Sequence, residues 1–161
     1  MNNIIISAIG VDRPGIVSEL SNIITNHGGN VEESKMTRLG SDFAIIMLVS
    51  VKQDLPDGVL EIALKAIDGL TIITKSTNKK TSTGTQYQID LSGADNEGIV
   101  NVLSKYLVNK TINILDMETY ISNAPITGTP LFNLRAITEV KEGIKSLDIQ
   151  IKNEINYYNK L

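Results

Sequence analysis

Residues 10–17 read Gly-Val-Asp-Arg-Pro-Gly-Ile-Val, and residues 93–100 read Gly-Ala-Asp-Asn-Glu-Gly-Ile-Val, at an offset of 83 residues. The same offset relates Leu20-Ser21 to Leu103-Ser104 and Asn30-Val31 to Asn113-Ile114. One spacing that holds across a turn, a helix and the next strand indicates an internal repeat. We therefore interpret the chain as one structural unit duplicated in tandem.

The first copy predicts the order strand, helix, strand, strand, helix, strand. An isoleucine-rich run favours a first strand buried on both faces. The apolar residues that follow recur at helical intervals until His27-Gly28-Gly29, which is typical of a helix that ends at glycine. A tight Gly-Ser-Asp turn between two later runs predicts a hairpin. The predicted segments are Asn3–Ile9, Ile16–Ile24, Asn30–Leu39, Phe43–Val51, Val59–Ile67 and Leu70–Thr74.

The second copy begins after a wholly polar run, Ser76–Gly84, which cannot contribute to a core and therefore predicts a linker. We predict a first domain at residues 1–76, a linker at 77–84 and a second domain at 85–161. Apolar residues at helical spacing over 144–158 predict a final helix in place of a fourth strand. Alternation over 147–151 keeps a strand at 145–152 open as the alternative. The predicted fold class is α+β.

Composition excludes several function classes. The formal net charge of −3 divides evenly, with −1 in residues 1–84 and −2 in residues 85–161. Nucleic-acid binding draws its affinity from clustered Lys and Arg, so direct binding to nucleic acid is not expected. The absence of cysteine excludes disulfides, thiolate nucleophiles and thiolate metal sites. The single histidine, His27, is predicted to satisfy carbonyls at a helix C-terminus. We expect no cofactor, no metal and no catalytic residue.

The N-terminus lacks the basic segment and long apolar run of a signal peptide, and no apolar stretch reaches the roughly 20 residues of a membrane span. We therefore expect a soluble cytoplasmic protein without a membrane partner.

The turn at residues 12–15 is the candidate binding site. Asp12 follows a strand and Gly15 precedes a helix, where the first backbone N–H groups have no acceptor within the helix. Those N–H groups and the positive end of the helix dipole can receive an anion such as a ligand carboxylate. The alternative is structural: Asp12 caps the helix and Gly15 permits close packing.

The run from Ile9 to Ser21, together with Gly28–Ser34 and the Met36–Leu39 strand, resembles an ACT domain. More narrowly it is similar to the glycine cleavage system transcriptional repressor family, whose members are tandem ACT proteins. The resemblance implies two ferredoxin-like βαββαβ modules, the second without its last strand, which pair sheet edge to sheet edge and bind amino acids between domains.

The resemblance also implies which residues contact a ligand, namely those of the strand-to-helix turn and an Asn that opens the second strand. The positions are Asp12, Arg13, Pro14, Gly15, Ile16 and Asn30 in the first module, and Asp95, Asn96, Gly98, Ile99 and Asn113 in the second. Glu97 replaces the family's proline. Its carboxylate is predicted to occupy the place of a ligand carboxylate, so the first module is the expected binding site.

The expected function is that of an amino-acid-sensing regulatory protein, with glycine or serine as candidate ligands. By the resemblance it acts as an accessory transcriptional repressor through a transcriptional regulator that contacts the DNA. The alternatives are an ACT protein that controls a metabolic enzyme and a fragment related to formyltetrahydrofolate deformylases. The chain holds no nucleophile and base arrangement, so catalysis is not expected.

A missing fourth strand in the second module would leave the backbone of Tyr87–Leu91 at a sheet edge. Because an uncovered edge invites pairing, we expect either the linker or the same edge of a second subunit to cover it. The second possibility predicts a homodimer.

Overall fold

We describe the protein from a computed structural model that defines residues 2–52, 56, 58–78, 84–93 and 98–140. The strands of these residues form two antiparallel sheets. The chain divides into two compact units, Met1–Lys80 and Thr81–Leu161. In the described part no helix combines the length and the apolar composition needed to cross a bilayer.

The first unit has the predicted order of elements, and its sheet has the strand order β2-β3-β1-β4. This arrangement is the ferredoxin-like βαββαβ fold, so the prediction is confirmed. The elements are β1 (Asn2–Val11), α1 (Ile16–Asn26), β2 (Asn30–Leu39), β3 (Asp42–Val51), α2 (Val59–Lys65) and β4 (Leu70–Thr77).

The second unit repeats the first four elements and, in its described residues, has a sheet of order β5-β7-β6. The helix or strand predicted for 144–158 lies outside the described residues, and so do linker residues 79–83. Within the described part β5 pairs with β7 alone and forms an edge. The elements are β5 (Thr85–Gly93), α3 (Ile99–Asn109), β6 (Asn113–Asn123) and β7 (Pro130–Val140).

The core of the first unit lies on one face of its sheet. Helix α1 buries Ile16, Leu20 and Ile24 against Ile6 and Ala8 of β1, in a cluster that also takes in α2. Within the module, β1 is covered on this face only and not on both faces as predicted. Both helices pack on the same side, and a run of isoleucines is compatible with one covered face or two.

Helix α1 ends as predicted, at a glycine stop. The His27 imidazole Nδ1 lies 2.7 Å from the carbonyl oxygen of Ile23. The amides of Gly28 and Gly29 donate to carbonyls of the last turn, and Gly28 has a φ of 72°. The imidazole therefore binds a terminal carbonyl, as expected for this position.

Both units carry a β-bulge near the start of their second strand. The pairing of β2 with β3 shifts register between Val31 and Glu33, and the pairing of β6 with β7 shifts between Ile114 and Asp116. Glu32 and Leu115 are the extra residues, and they lie 83 positions apart. The repeat therefore extends to an irregularity of the backbone, which periodicity does not predict.

Strand β1 approaches the start of β4 closely at Gly10. A Cβ atom at this position would clash with the carbonyl oxygen of Gly69 and lie 2.8 Å from Cδ2 of Leu70. Because one of these neighbours is backbone of the turn that leads into β4, a side chain fits only if the turn or the strands move.

We expect Gly10→Ala to lower the free energy of unfolding of the first module by about 1–3 kcal/mol through this overpacking. Thr71→Ala, an exposed change on the same strand pair, should alter it by less than about 0.5 kcal/mol. Urea unfolding followed by circular dichroism measures both. Equal stability of the two variants would show that the sheet adjusts to the added methyl group.

Candidate functional site

The predicted turn lies at the end of the sheet where β1 stops and α1 begins. Gly15 is the N-cap residue of α1, with a left-handed φ of 95° and no side-chain cap hydrogen bond. The first helical bond runs from the Glu19 amide to the Gly15 carbonyl at 2.9 Å. The N–H groups of Ile16, Val17 and Ser18 therefore have no acceptor within the helix.

Asp12 does not cap the helix, so the structural alternative for this residue is wrong. Its backbone amide donates to the Ser41 carbonyl at 2.9 Å, and its carboxylate oxygen lies 3.7 Å from Nη1 of Arg38. The left-handed residue at Gly15 takes the cap position, and the Asp12 side chain is 36% exposed. The carboxylate is therefore open to solvent beside the turn.

Arg13 holds the turn against α1 through a bidentate ion pair. Its Nη1 and Nη2 donate to Oε1 and Oε2 of Glu19 at 3.0 and 2.7 Å, and Nη2 lies 3.5 Å from the Asp68 carbonyl oxygen. The hydrogen bond from Arg13 lowers the pKa of Glu19, and the same bond raises the pKa of Arg13. The guanidinium is thus directed to Glu19.

The space in front of the helix N-terminus is open. A Cβ atom on Gly15 would meet nothing within 4 Å, and Pro14 is exposed beside it. Ile16 is 2% exposed, so its side chain anchors the helix in the core and only its backbone N–H faces the turn. The structure therefore brings residues 12–16 together as one small surface.

Asn30 lies elsewhere. It pairs with Ser50, which in turn pairs with Asn3, so it stands eight residues along the sheet from Val11, or about 26 Å. Its side-chain amide donates to Oε1 of Glu32 at 3.1 Å, an oxygen that also accepts the Ser50 hydroxyl at 2.7 Å. Asn30 shares no surface with the turn of its own module.

The second module shows the same backbone at the start of its helix. Gly98 is the N-cap of α3 with a φ of 77°, it has no side-chain cap hydrogen bond, and Ile99 is 6% exposed. Asn113 opens β6 opposite Glu139. Asp95, Asn96 and Glu97 lie outside the described residues, so their predicted roles stay predictions.

A cavity of about 220 Å³ opens at the opposite end of the first sheet, and no motif in the sequence predicts it. Its lining includes Asn2, Leu60, Glu61 and Lys75, and none of the predicted site residues. Glu61 is held by Lys65 at 2.6 Å, and this hydrogen bond lowers the pKa of Glu61. Among the described residues there is no group of three His, Asp or Glu side chains that could hold a metal ion.

The sequence pattern of the ACT domain matches residues 2–75. The chain thus carries a domain of the ACT family in its first module. It is 32% identical over 68 residues to a UPF0237 protein of Methanococcus maripaludis, a match that covers 42% of this chain and 76% of the relative. The crystal structure of an unknown protein from Galdieria sulphuraria superposes with a TM-score of 0.76 at 32% identity, covering 96% of this chain and 87% of that one.

The chain is also related to the glycine cleavage system transcriptional repressor of Escherichia coli, with 43% identity over 47 residues. That match spans 29% of this chain and 25% of the length of the repressor. The resemblance drawn from the sequence is therefore confirmed at the level of the family.

We expect Arg13→Gln to raise the pKa of Glu19 toward its ordinary value, because the variant loses the charged donor that stabilises the carboxylate. The folded-state pKa of Glu19 lies below its unfolded value. The stabilising contribution of the pair is therefore present above the unfolded pKa and lost as pH falls through the folded one.

Carboxyl carbon shifts in an NMR titration measure the change. Glu61, whose pKa Lys65 lowers on α2, is the internal control and should titrate as in the unmodified protein. An unchanged Glu19 titration in Arg13→Gln would contradict the assignment.

Proposed function

We propose that the protein is a non-catalytic regulator that binds an amino acid at the turn of its first module and acts through a protein partner. The observation that carries the proposal is the uncapped helix N-terminus at Gly15 beside the solvent-exposed carboxylate of Asp12. Membership of the ACT domain family supports it.

The turn offers opposite partners to the two ends of a free amino acid. The N–H groups of Ile16–Ser18 and the positive end of the helix dipole favour a carboxylate. Asp12 can accept hydrogen bonds from an ammonium group. The neighbouring cation Arg13 is paired with Glu19, so recognition of the ligand carboxylate falls to the backbone.

Small amino acids fit this surface best. A Cβ atom on Gly15 would meet nothing within 4 Å, and the lining of the cavity at the opposite end of the sheet includes no residue of the turn. Glycine and serine are therefore the first candidates. The relation to the glycine cleavage system transcriptional repressor points to the same chemistry.

The predicted partner is a transcriptional regulator that itself contacts DNA. Three cations of the first module lie beside carboxylates: Arg13 pairs with Glu19, Arg38 lies by Asp12 and Lys65 pairs with Glu61. Neutralised cations release few counterions from a phosphate backbone. The protein therefore modulates a DNA-binding protein instead of replacing it.

We expect calorimetry to detect binding of glycine or serine, and Asp12→Ala to weaken it about 10- to 100-fold by removing a charged acceptor. Asp42→Ala is the matched control, since it removes an exposed carboxylate from the same end of the sheet and should change affinity by less than about twofold.

Asn30→Ala should weaken binding more than Asp95→Ala. Asn30 lies about 26 Å from its own turn, so a loss of affinity in Asn30→Ala requires a contact from a second copy of the chain.

Absence of heat with all twenty amino acids would overturn the proposed ligand class. Equal losses in the Asp12, Asn30 and Asp95 variants would overturn the assignment to the first module.

We expect the protein alone to leave duplex DNA unshifted in a gel-retardation assay at physiological salt, because its net charge is −3 and Arg13, Arg38 and Lys65 of the first module lie beside carboxylates. Random-sequence and glycine-responsive promoter fragments serve as paired probes. Nanomolar retention of one fragment over the other would show that the chain reads DNA itself.

A further inference from the structure

The face of the first sheet that points away from the helices is apolar along its two central strands. Alternation along β1 places Ile6 and Ala8 in the core and their neighbours on this opposite face. The register with β3 and β4 identifies the other members. We call this surface the outer face, and its apolar members are Ile5, Ile9, Val11, Ala44, Ile46, Leu48 and Ile73.

Within the first module, the outer face is exposed. Ile9 is 53% exposed, Ile46 47% and Ile73 65%. Soluble monomers rarely expose contiguous apolar patches larger than a few hundred Å², and larger ones mark interaction sites. A surface of this kind is expected to have an occupant.

The second module shows that the fold does not require an apolar outer face. The positions equivalent to Ile5 and Ile9 are Gln88 and Ser92. Arg135 stands across the β5–β7 pair and donates to Asp90 at 2.9 Å and to Glu118 at 3.5 Å. The outer face therefore carries exposed ion pairs in the second module and aliphatic side chains in the first.

We propose that the outer face of the first module packs against the outer face of a second copy of the chain in a two-fold dimer. One pair of charges at its margins is self-complementary, while Lys35, which pairs with Ile46, lies over Ile73 of the second copy. One row across the sheet runs Glu33, Leu48, Ile5, Lys75. A two-fold axis parallel to the strands, between β1 and β3, lays β2 of one copy over β4 of the other, so Glu33 faces Lys75 of the second copy twice.

Both charges are available for this contact. In the part of the chain that the structure describes, neither Glu33 nor Lys75 takes part in an ion pair. Stacked sheets lie about 10 Å apart, a gap that a Glu and a Lys side chain can bridge together. The axis also places apolar Leu48 over Ile5 of the second copy.

The area is sufficient for a dimer. Four strands spaced about 4.8 Å apart and eight residues long at about 3.3 Å each present a face on the order of 500 Å². Two such faces bury on the order of 1,000 Å², the lower limit for a specific interface. This interface differs from the β5 edge, which the sequence suggested as a dimer contact.

Sedimentation equilibrium on the full chain tests the proposal. We expect a dimer, and Ile46→Lys should raise its dissociation constant at least about 100-fold by burying an unpaired charge. Ile73→Lys, on the outer strand β4 and more exposed, should do the same and guards against a folding defect in the central strand. Ile62→Lys is the matched control, because Ile62 is 73% exposed on α2 and should leave the dimer intact.

A charge exchange tests the two-fold geometry. Glu33→Lys and Lys75→Glu should each weaken the dimer, and the double variant should restore it. A monomeric wild-type protein would overturn the proposal and leave the outer face to a different protein. A dimer that survives both isoleucine variants and is lost in Gln88→Pro would overturn it in favour of the β5 edge.

Discussion

Burial of the apolar stripe of α1 against β1 and β3 is the interaction on which the first module depends. Leu20 and Ile24 are fully buried, and Ile16 fixes the first turn of the helix in the core. This anchor fixes the position of the N-terminus of α1 at the end of the sheet. The N–H groups of the first turn of α1, which have no acceptor within the helix, would therefore need little ordering to meet the ligand that we propose.

The order of elements was predictable because it depends on local signals, namely helical periodicity, alternation and glycine stops. Other features depend on tertiary context. The isoleucine run of β1 does not reveal how many of its faces are covered, and the role of Asp12 depends on a backbone angle three residues away at Gly15. The position of the turn was predictable from its residues. The separation of Asn30 from the turn depends on strand order, which the spacing of residues along the sequence does not reveal.

The proposed ligand surface and the outer face meet at consecutive residues. Val11 is the last apolar residue of the outer face, and Asp12 is the first residue of the turn. A ligand that bound the Asp12 carboxylate would act directly on the backbone of the strand at the centre of the outer face. If both proposals hold, the first module joins a site for a small molecule to an assembly surface without a relay of intervening side chains.

The two β-bulges bear on the history of the chain. An extra residue at Glu32 and another at Leu115 are separated by 83 positions, the spacing of the repeat itself. A duplication of a unit that already carried the bulge would place an extra residue at the same position in both halves. The two positions differ in their chemistry, because Glu32 accepts a hydrogen bond from the Ser50 hydroxyl and Leu115 is aliphatic.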